Sequence, residues 1–445
     1  MVASTQRYLA YYIGKKDQNM LNSVWENSIF LHLIVGVIVS ILLYLLRNLL
    51  IEDILVVDLT YLHSAYFIYY CSIIIVFISI IQAPFNALIL AQEKMSFFAI
   101  LALLDAILKL IIIYVLYFLN DFILEKYSLM YLSSIVFVFL VYVFYCSRKF
   151  NKKFSFGKIN VTLLKEITVY SSWNIFGNLA FVGKVQGSNI LLNIFIGVIA
   201  NSAYAITNNV TSAIGGLINS IVTAINPQIY KSYAEGDYER NILLINSSSK
   251  FSFFLAFIFI LPILFNISYL LELWLNKVPL FLVDFIKLAL VVLLIDCLSG
   301  SLMTGIQATG KVKSYQIFVS ISVFLNIPIS YFLLNCGYEP IVIYWVALSM
   351  ALVSLLLRLY FIQKLTQFSN YVYFKSVLIP CFLVCISSIF VTYFLVSFLN
   401  PVNSFLSFLI FSTSLVIIVV LNIIVFGLNP SEKSFIFSKI SGYLK

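Results

Sequence analysis

Two stretches of this chain place amide, hydroxyl and charged residues inside runs otherwise apolar enough to cross a bilayer. In residues 203–228, Asn208, Ser212, Gly215, Asn219 and Asn226 recur at spacings of 4, 3, 4 and 7, and Asn201 falls on the same line. At about 100° per residue they share one narrow helical stripe. In 170–196, Asn174, Asn178, Asn189 and Asn193 form a broader stripe with Lys184 and Ser188 at its edge. An unpaired amide facing hydrocarbon costs several kcal/mol, so these stripes must face protein or water. Tight helix packing is one use, and Gly183-x-x-x-Gly187 has a suitable spacing for it. A water-filled cavity between helical bundles is the other, and the length and asparagine content of the stripes favour it.

Charges at membrane depth are expensive and usually functional. Lys184 has no acid within one helical turn. It is either a compact cationic contact for a phosphate or pyrophosphate group, or the partner of an acid on another helix. Asp105 and Lys109 stand at i, i+4, a spacing at which they neutralise each other. Asp296 lies in the middle of an apolar run, where it could take a proton or a sodium ion, or pair with Lys184 or Lys109. Asp284 and Lys287 fall near the end of that run and are expected to snorkel.

The elements that must hold these residues follow from composition. Of 445 residues 62% are hydrophobic and 10% charged, with a mean hydropathy of +1.05. Soluble domains carry roughly 25% charged residues. The apolar residues fall in runs of about 20, the length of a membrane-crossing helix; hydrocarbon cannot satisfy backbone groups, so such runs are helical. Strands of about 10 residues with alternating polarity, as in outer-membrane barrels, are not seen. Twelve spans result: 27–46, 66–91, 97–119, 129–146, 170–196, 203–228, 251–265, 285–308, 315–334, 341–357, 376–396 and 404–427. Alternate connections then sort the charge. One side, including both termini and 358–375, holds 21 of the 27 Lys and Arg, and the other holds Arg47, Lys126 and Lys277. Positive residues stay inside during insertion, so the first side, with the N- and C-termini, is expected in the cytoplasm.

The basic cluster Arg148, Lys149, Lys152, Lys153, Lys158 and Lys165 reads as a topology anchor and linker, and the net charge of +9 has the same origin, so no nucleic-acid partner is expected. The outer loop with Glu52, Asp53 and Asp58 reads as a solvated face. Residues 1–26 have no compact apolar core ending in a cleavage site, so no cleavable signal is expected there. Pro84, Pro227, Pro262, Pro328 and Pro380 lie within or at the ends of spans, where they kink helices. No phosphate-binding G-x-x-x-x-G-K-[ST] loop is present. Neither His32 nor His63 stands in a metal spacing. Cys71, Cys146, Cys297, Cys336, Cys381 and Cys385 read as small core residues. Catalytic residues, a metal and a resident cofactor are not expected, and the chain does not read as an enzyme.

The chain also repeats itself. Gln6-Arg7-Tyr8-Leu9-Ala10-Tyr11-Tyr12-Ile13-Gly14 shares Gln, Tyr, Tyr and Gly with Gln228-Ile229-Tyr230-Lys231-Ser232-Tyr233-Ala234-Glu235-Gly236 at an offset of 222. Ala91-Gln92-Glu93-Lys94 precedes a span containing Tyr114, as Ala308-Thr309-Gly310-Lys311 precedes one containing Tyr331, at an offset of 217. Both matches fall on one side of the membrane, which makes the halves parallel repeats. The second half has two spans ahead of its Gln228 element and the first has none ahead of Gln6, so a further helix pair of about 60 residues is expected upstream of Met1 in a full-length member.

The stretch Asn226-Pro227-Gln228-Ile229-Tyr230-Lys231-Ser232-Tyr233-Ala234-Glu235-Gly236-Asp237 resembles the cytoplasmic junction of polysaccharide transporters, the Wzx-type O-antigen and capsule flippases. Ser4-Thr5-Gln6-Arg7-Tyr8-Leu9, Gly14-Lys15-Lys16-Asp17 and Asn86-Ala87-Leu88-Ile89-Leu90-Ala91-Gln92-Glu93-Lys94 are similar to that family as well. The family belongs to the superfamily of multidrug and oligosaccharidyl-lipid exporters. The resemblance implies an all-α polytopic fold of two pseudo-symmetric bundles plus two C-terminal helices, with fourteen spans in a full member. Here residues 1–146 would form the first bundle, 147–169 a basic linker, 170–360 the second bundle, and 361–445 the extra helices and tail. It implies a bacterial inner-membrane protein that turns undecaprenyl-pyrophosphate-linked oligosaccharide between leaflets for O-antigen or capsule synthesis, driven by an H+ or Na+ gradient. Membrane lipids, a polysaccharide polymerase and glycosyltransferases would be its partners. By that resemblance Lys184, Asn174, Asn178, Asn189, Asn208, Ser212 and Asn219 would line the lumen, and Asp105, Lys109 and Asp296 are candidates for ion coupling. Two other functions stay open: a drug or small-molecule antiporter of the same superfamily, and a membrane-embedded polysaccharide polymerase or ligase. The spans carry three Lys against two Asp, which favours an anionic cargo, and the short outer loops leave little room for a polymerase site.

Overall fold

The computed structural model describes residues 2–54, 61–119, 122–152, 159–275, 277–398, 404–434 and 438. Asp58, Lys153 and Lys158, singled out above, lie outside the described residues. The elements in order are α1 (Val2–Gly14), α2 (Gln18–Leu45), α3 (Leu62–Ala91), α4 (Met95–Tyr117), α5 (Ile123–Phe150), α6 (Val161–Phe195), α7 (Val198–Glu235), α8 (Tyr238–Trp274), α9 (Leu282–Ala308), α10 (Lys313–Phe324), α11 (Asn326–Asn335), α12 (Val342–Leu365), α13 (Asn370–Tyr373), α14 (Ile379–Phe398) and α15 (Phe405–Asn422). No strand occurs among the described residues. Among the described residues, nine spans formed by these helices are long and apolar enough to cross a membrane. The asparagine-rich α6 and α7 and the acid-bearing α9, with 35, 38 and 27 residues, are helices of spanning length as well. Together they account for the twelve apolar runs, and the chain is a multi-pass membrane protein.

The chain divides into two compact units. Unit 1 comprises Met1–Asn174 with Tyr230–Gly236, and unit 2 comprises Ile175–Ile229 with Asp237–Lys445. Their helices correspond at offsets of 217 to 222 residues: α2 with α8, α3 with α9, α4 with α10–α11, and α1 with the last turns of α7. The correspondence reaches the caps. Asp17 accepts from the Met20 N–H at 3.0 Å to start α2, and Asp237 accepts from the Arg240 N–H at 3.0 Å to start α8; each satisfies an otherwise orphaned helix N-terminal donor.

Proline shapes the second repeat. Pro328 has no N–H for the Phe324 carbonyl, and α10 ends at Phe324. In α8, Asn266 leaves helical geometry (φ −112°, ψ 15°) and its side-chain Nδ2 donates to the Pro262 carbonyl at 3.0 Å. In unit 1, Pro84 sits inside α3 without breaking it.

The core of unit 2 lies where α9 packs between α8 and α12, with Phe285, Leu290, Leu302, Ile306, Phe257 and Ile362 fully enclosed. In unit 1, Trp25 of α2 meets Phe85 of α3 edge-to-face at 5.1 Å. Lys152, expected as part of the basic anchor and linker, is buried, and its ammonium donates to Asn22 Oδ1. Burial holds this ammonium below the usual lysine range, with Glu26 opposing the shift.

Candidate functional site

Unit 2 contains a cavity of about 500 Å³ lined by polar residues from five helices: Lys184 of α6, Asn219 of α7, Asp296 and Ser299 of α9, Asn326 of α11, and Ser354 and Arg358 of α12. Phe181, Met303, Val323 and Met350 supply apolar wall. α6 is brought to this place by its glycines. A Cβ on Gly177 would meet Gln316, one on Gly183 would approach Phe324, and one on Gly187 would lie 2.6 Å from Ile327. The backbone of α6 therefore lies against α10 and α11, as the small-residue spacing predicted, and Lys184 beside Gly183 is held at the cavity wall. Packing and cavity are thus not alternatives here: one helix serves both.

The charges at the cavity do not form a closed pair. The fields of Lys184 and Arg358 both act on the Asp296 carboxylate. Among the described residues, however, no carboxylate lies within 4 Å of either cation. Asp296 is deeply surrounded by protein yet exposed, because its side chain opens onto the cavity. Arg358 Nε donates to the Tyr315 hydroxyl at 3.4 Å, while its Nη1 is buried with no partner among the described residues. Ser299 Oγ and Asn326 Oδ1 are likewise buried and unpartnered. Two cations and one carboxylate lining one void make a polar site with a net positive charge. Lined this way, the cavity can hold water or a polar, anion-bearing guest.

The other predicted lumen residues lie elsewhere. Asn174 Nδ2 donates to the Tyr170 carbonyl at 3.1 Å and to Ser4 Oγ at 3.4 Å, all in unit 1. Asn189 Oδ1 is buried with no partner among the described residues, and Asn189 is not among the residues that line this cavity. Asn178 and Ser212 are exposed, Asn208 is half-buried, and none of the three lines the cavity. Asn226 accepts from the Thr304 hydroxyl at 2.7 Å, a packing contact between α7 and α9. Lys184, Asn219 and Asp296 are the residues brought together. Asp105 and Lys109 do pair, at 2.7 Å, and line a separate cavity in unit 1.

Arg358 was placed in the connection 358–375 from the sequence; α12 instead continues to Leu365 and carries Arg358 at the cavity wall. The signal was present. Arg358 is followed by Leu359, Tyr360, Phe361 and Ile362 before the first polar residue, Gln363, so the apolar stretch runs past the arginine. Among the described residues, no three His, Cys, Asp or Glu side chains gather as a metal ion would require.

No family model matches the sequence, and no curated protein matches it. Solved structures do resemble it. A crystal structure of a MATE in the straight conformation superposes with a TM-score of 0.72 at 15% identity, covering 82% of this chain and 84% of that one. An outward-facing multidrug resistance MATE family transporter of the MOP superfamily gives 0.72 at 14% identity, covering 83% and 84%. A MOP superfamily transporter from Pyrococcus furiosus, whose title ascribes to it a binding pocket of reversed polarity and a different function, gives 0.67 at 16%, covering 82% and 84%. The fold of this chain is that of the MATE transporters of the MOP superfamily, a two-repeat helical membrane transporter fold.

Proposed function

We propose that this protein is a membrane carrier for an anionic amphiphile, namely a lipid-linked oligosaccharide bearing a pyrophosphate. The observation that carries the reading is the charge of the unit 2 cavity: among its described lining residues Lys184 and Arg358 stand against the single Asp296. A cationic cavity at membrane depth is costly unless an anion visits it. Arg358 offers a planar fork and Lys184 a compact point charge, the two ways in which proteins hold phosphate oxygens. Asp296 facing both cations keeps the site from binding so tightly that release fails, and it is the residue we assign to coupling with an H+ or Na+ gradient. The setting we infer is a bacterial inner membrane with both termini in the cytoplasm, alongside glycosyltransferases and a polymerase that make and use the cargo.

A small-molecule antiporter is the second reading, and the likeness to multidrug MATE transporters supports it directly. The two readings differ in cargo charge. Proteoliposomes holding the purified chain would be given a fluorescent undecaprenyl-pyrophosphate-linked sugar, and in parallel an organic dye cation. We expect translocation of the first, lowered at least tenfold in Lys184→Ala and Arg358→Ala. Dye transport with the lipid left unmoved would replace the flippase reading by the antiporter.

A further inference from the structure

The cavity of unit 1 is smaller, about 220 Å³, and more polar. Ser79 and Gln82 of α3, Asp105 and Lys109 of α4, and Tyr131 and Tyr142 of α5 line it. Lys109 is the only cation among its described lining residues. Its ammonium meets two groups at once: Asp105 Oδ2 at 2.7 Å, and the face of Tyr131 at 5.6 Å from the ring centre. Tyr127 stacks on Tyr131 with ring centres 5.9 Å apart and planes 2° from parallel, which fixes that ring. A carboxylate and an aromatic face around one ammonium is the arrangement by which proteins bind organic cations, the ring quadrupole and the negative charge both drawing it in. The side chains remain 44% and 34% exposed, so the head of Lys109 rests in an open pocket.

We infer that Lys109 is a tethered plug: its ammonium fills a small organic-cation site formed by Asp105 and Tyr131 and so denies that site to free cations. Of the remaining described wall, Leu101, Ala102, Ile135 and Val138 are apolar, and Ser79, Gln82 and Tyr142 add neutral polar groups without a competing positive charge. Sites for drug-sized ligands run about 300–1,000 Å³, so this pocket suits a small ammonium ion such as tetramethylammonium. The plug concerns charge selection in unit 1 and stands whether or not the anion site of unit 2 is correct.

The test uses the full chain in lipid nanodiscs at pH 8 and low salt, with radiolabelled tetramethylammonium in equilibrium dialysis and thermal melts as the folding control. Lys109→Met and Lys109→Gln should bind it roughly tenfold or more tightly than wild type, the range expected of a freed carboxylate with a cation–π face. Lys109→Arg should stay closed, because the guanidinium refills the site. Adding Asp105→Asn or Tyr131→Ala to Lys109→Met should return binding to the wild-type level. Lys109→Met and Lys109→Gln binding no better than wild type would overturn the proposal, as would gained binding that survives both second changes. Unfolding of both single variants would overturn it too, since Lys109 would then be a structural strut.

Discussion

The two cavities occupy corresponding places in the repeat and hold their charge in different ways. An offset of 217 carries Ser79 onto Asp296, Gln82 onto Ser299 and Lys109 onto Asn326; in α5 and α12 an offset of 216 carries Val138 onto Ser354 and Tyr142 onto Arg358. In unit 1, acid and base stand on one helix at i, i+4 and close on each other at 2.7 Å. In unit 2, Lys184, Asp296 and Arg358 come from α6, α9 and α12. A local pair saturates whatever the rest of the protein does. Charges on three helices meet only as far as the packing brings them, and a guest or a movement of helices can change their balance. The same frame thus gives one self-neutralised pocket and one that is left cationic.

Reversing one charge in the open cavity should have the largest effect. Arg358→Glu changes the site by two charge units. At an effective dielectric constant near 20, one unit at about 4 Å is worth about 4 kcal/mol. Allowing for partial screening, we expect a loss of roughly a thousandfold in pyrophosphate affinity, about 4 kcal/mol, measured by calorimetry on the purified chain. Asp105→Lys in unit 1 should leave that affinity within a few-fold. Equal losses in the two variants would show that the cavities are not electrically separate.

The repeats differ again at the start of α2 and α8. An offset of 220 places Phe30 on Lys250, whose ammonium donates to Glu432 at 2.6 Å with the lysine side chain only 2% exposed and the glutamate 20%. Removing one partner of a buried pair strands the other. Since Glu432 is partly open to solvent, we expect Glu432→Gln to destabilise by about 3 kcal/mol. Lys250→Phe with Glu432→Gln, which puts the first repeat's phenylalanine at position 250 and removes the charge it would strand, should recover much of that loss in thermal melts. A double variant no more stable than the single would mean the pair is replaceable only by itself.

Equivalent glycines should fail for different reasons. A Cβ on Gly14 would lie 2.9 Å from the Lys231 Cα and carbonyl oxygen, backbone atoms that cannot swing away, beside the Glu93–Lys231 ion pair. Its counterpart Gly236 has open space but a φ of +78°. Gly14→Ala should therefore cost about 1–3 kcal/mol as overpacking, and Gly236→Ala about 1–2 kcal/mol as left-handed strain. Asparagine, which tolerates that strain, should rescue position 236 and not position 14. Rescue at both positions would refute the steric account of Gly14.

What the sequence made legible follows the range of the forces involved. Bilayer solvation acts residue by residue, so apolar runs located the helices, including α6 and α7 with their asparagines. The i, i+4 rule is local, so the Asp105–Lys109 contact could be read directly. The repeat was legible because turn chemistry, Gly14 to Asp17 and Gly236 to Asp237, is local as well. Asp296 beside Lys184 could be named only as one option among several, and Arg358 beside them not at all, because both depend on how α6, α9 and α12 pack. Arg358 was further hidden by ending the span at the first charge, although apolar residues continue to Ile362. The stripe argument marked two amide-rich helices and both of their uses, packing and cavity, but could not assign them residue by residue: Asn226 serves packing, Asn174 bonds within unit 1, and Asn219 lines the cavity.

The smallest effect is expected where the comparison began. The Asp105–Lys109 pair is about two-fifths exposed, and i, i+4 pairs of this kind contribute about 0.3–0.5 kcal/mol. Asp105→Asn should thus leave thermal stability within about 0.5 kcal/mol of wild type, far less than Glu432→Gln. The contrast matters because a pair that contributes so little to folding, yet sits at mid-helix in a polar pocket, has its reason to exist in what the pocket admits. A loss of several kcal/mol from Asp105→Asn would place the pair among the structural contacts and make the two repeats alike in that respect.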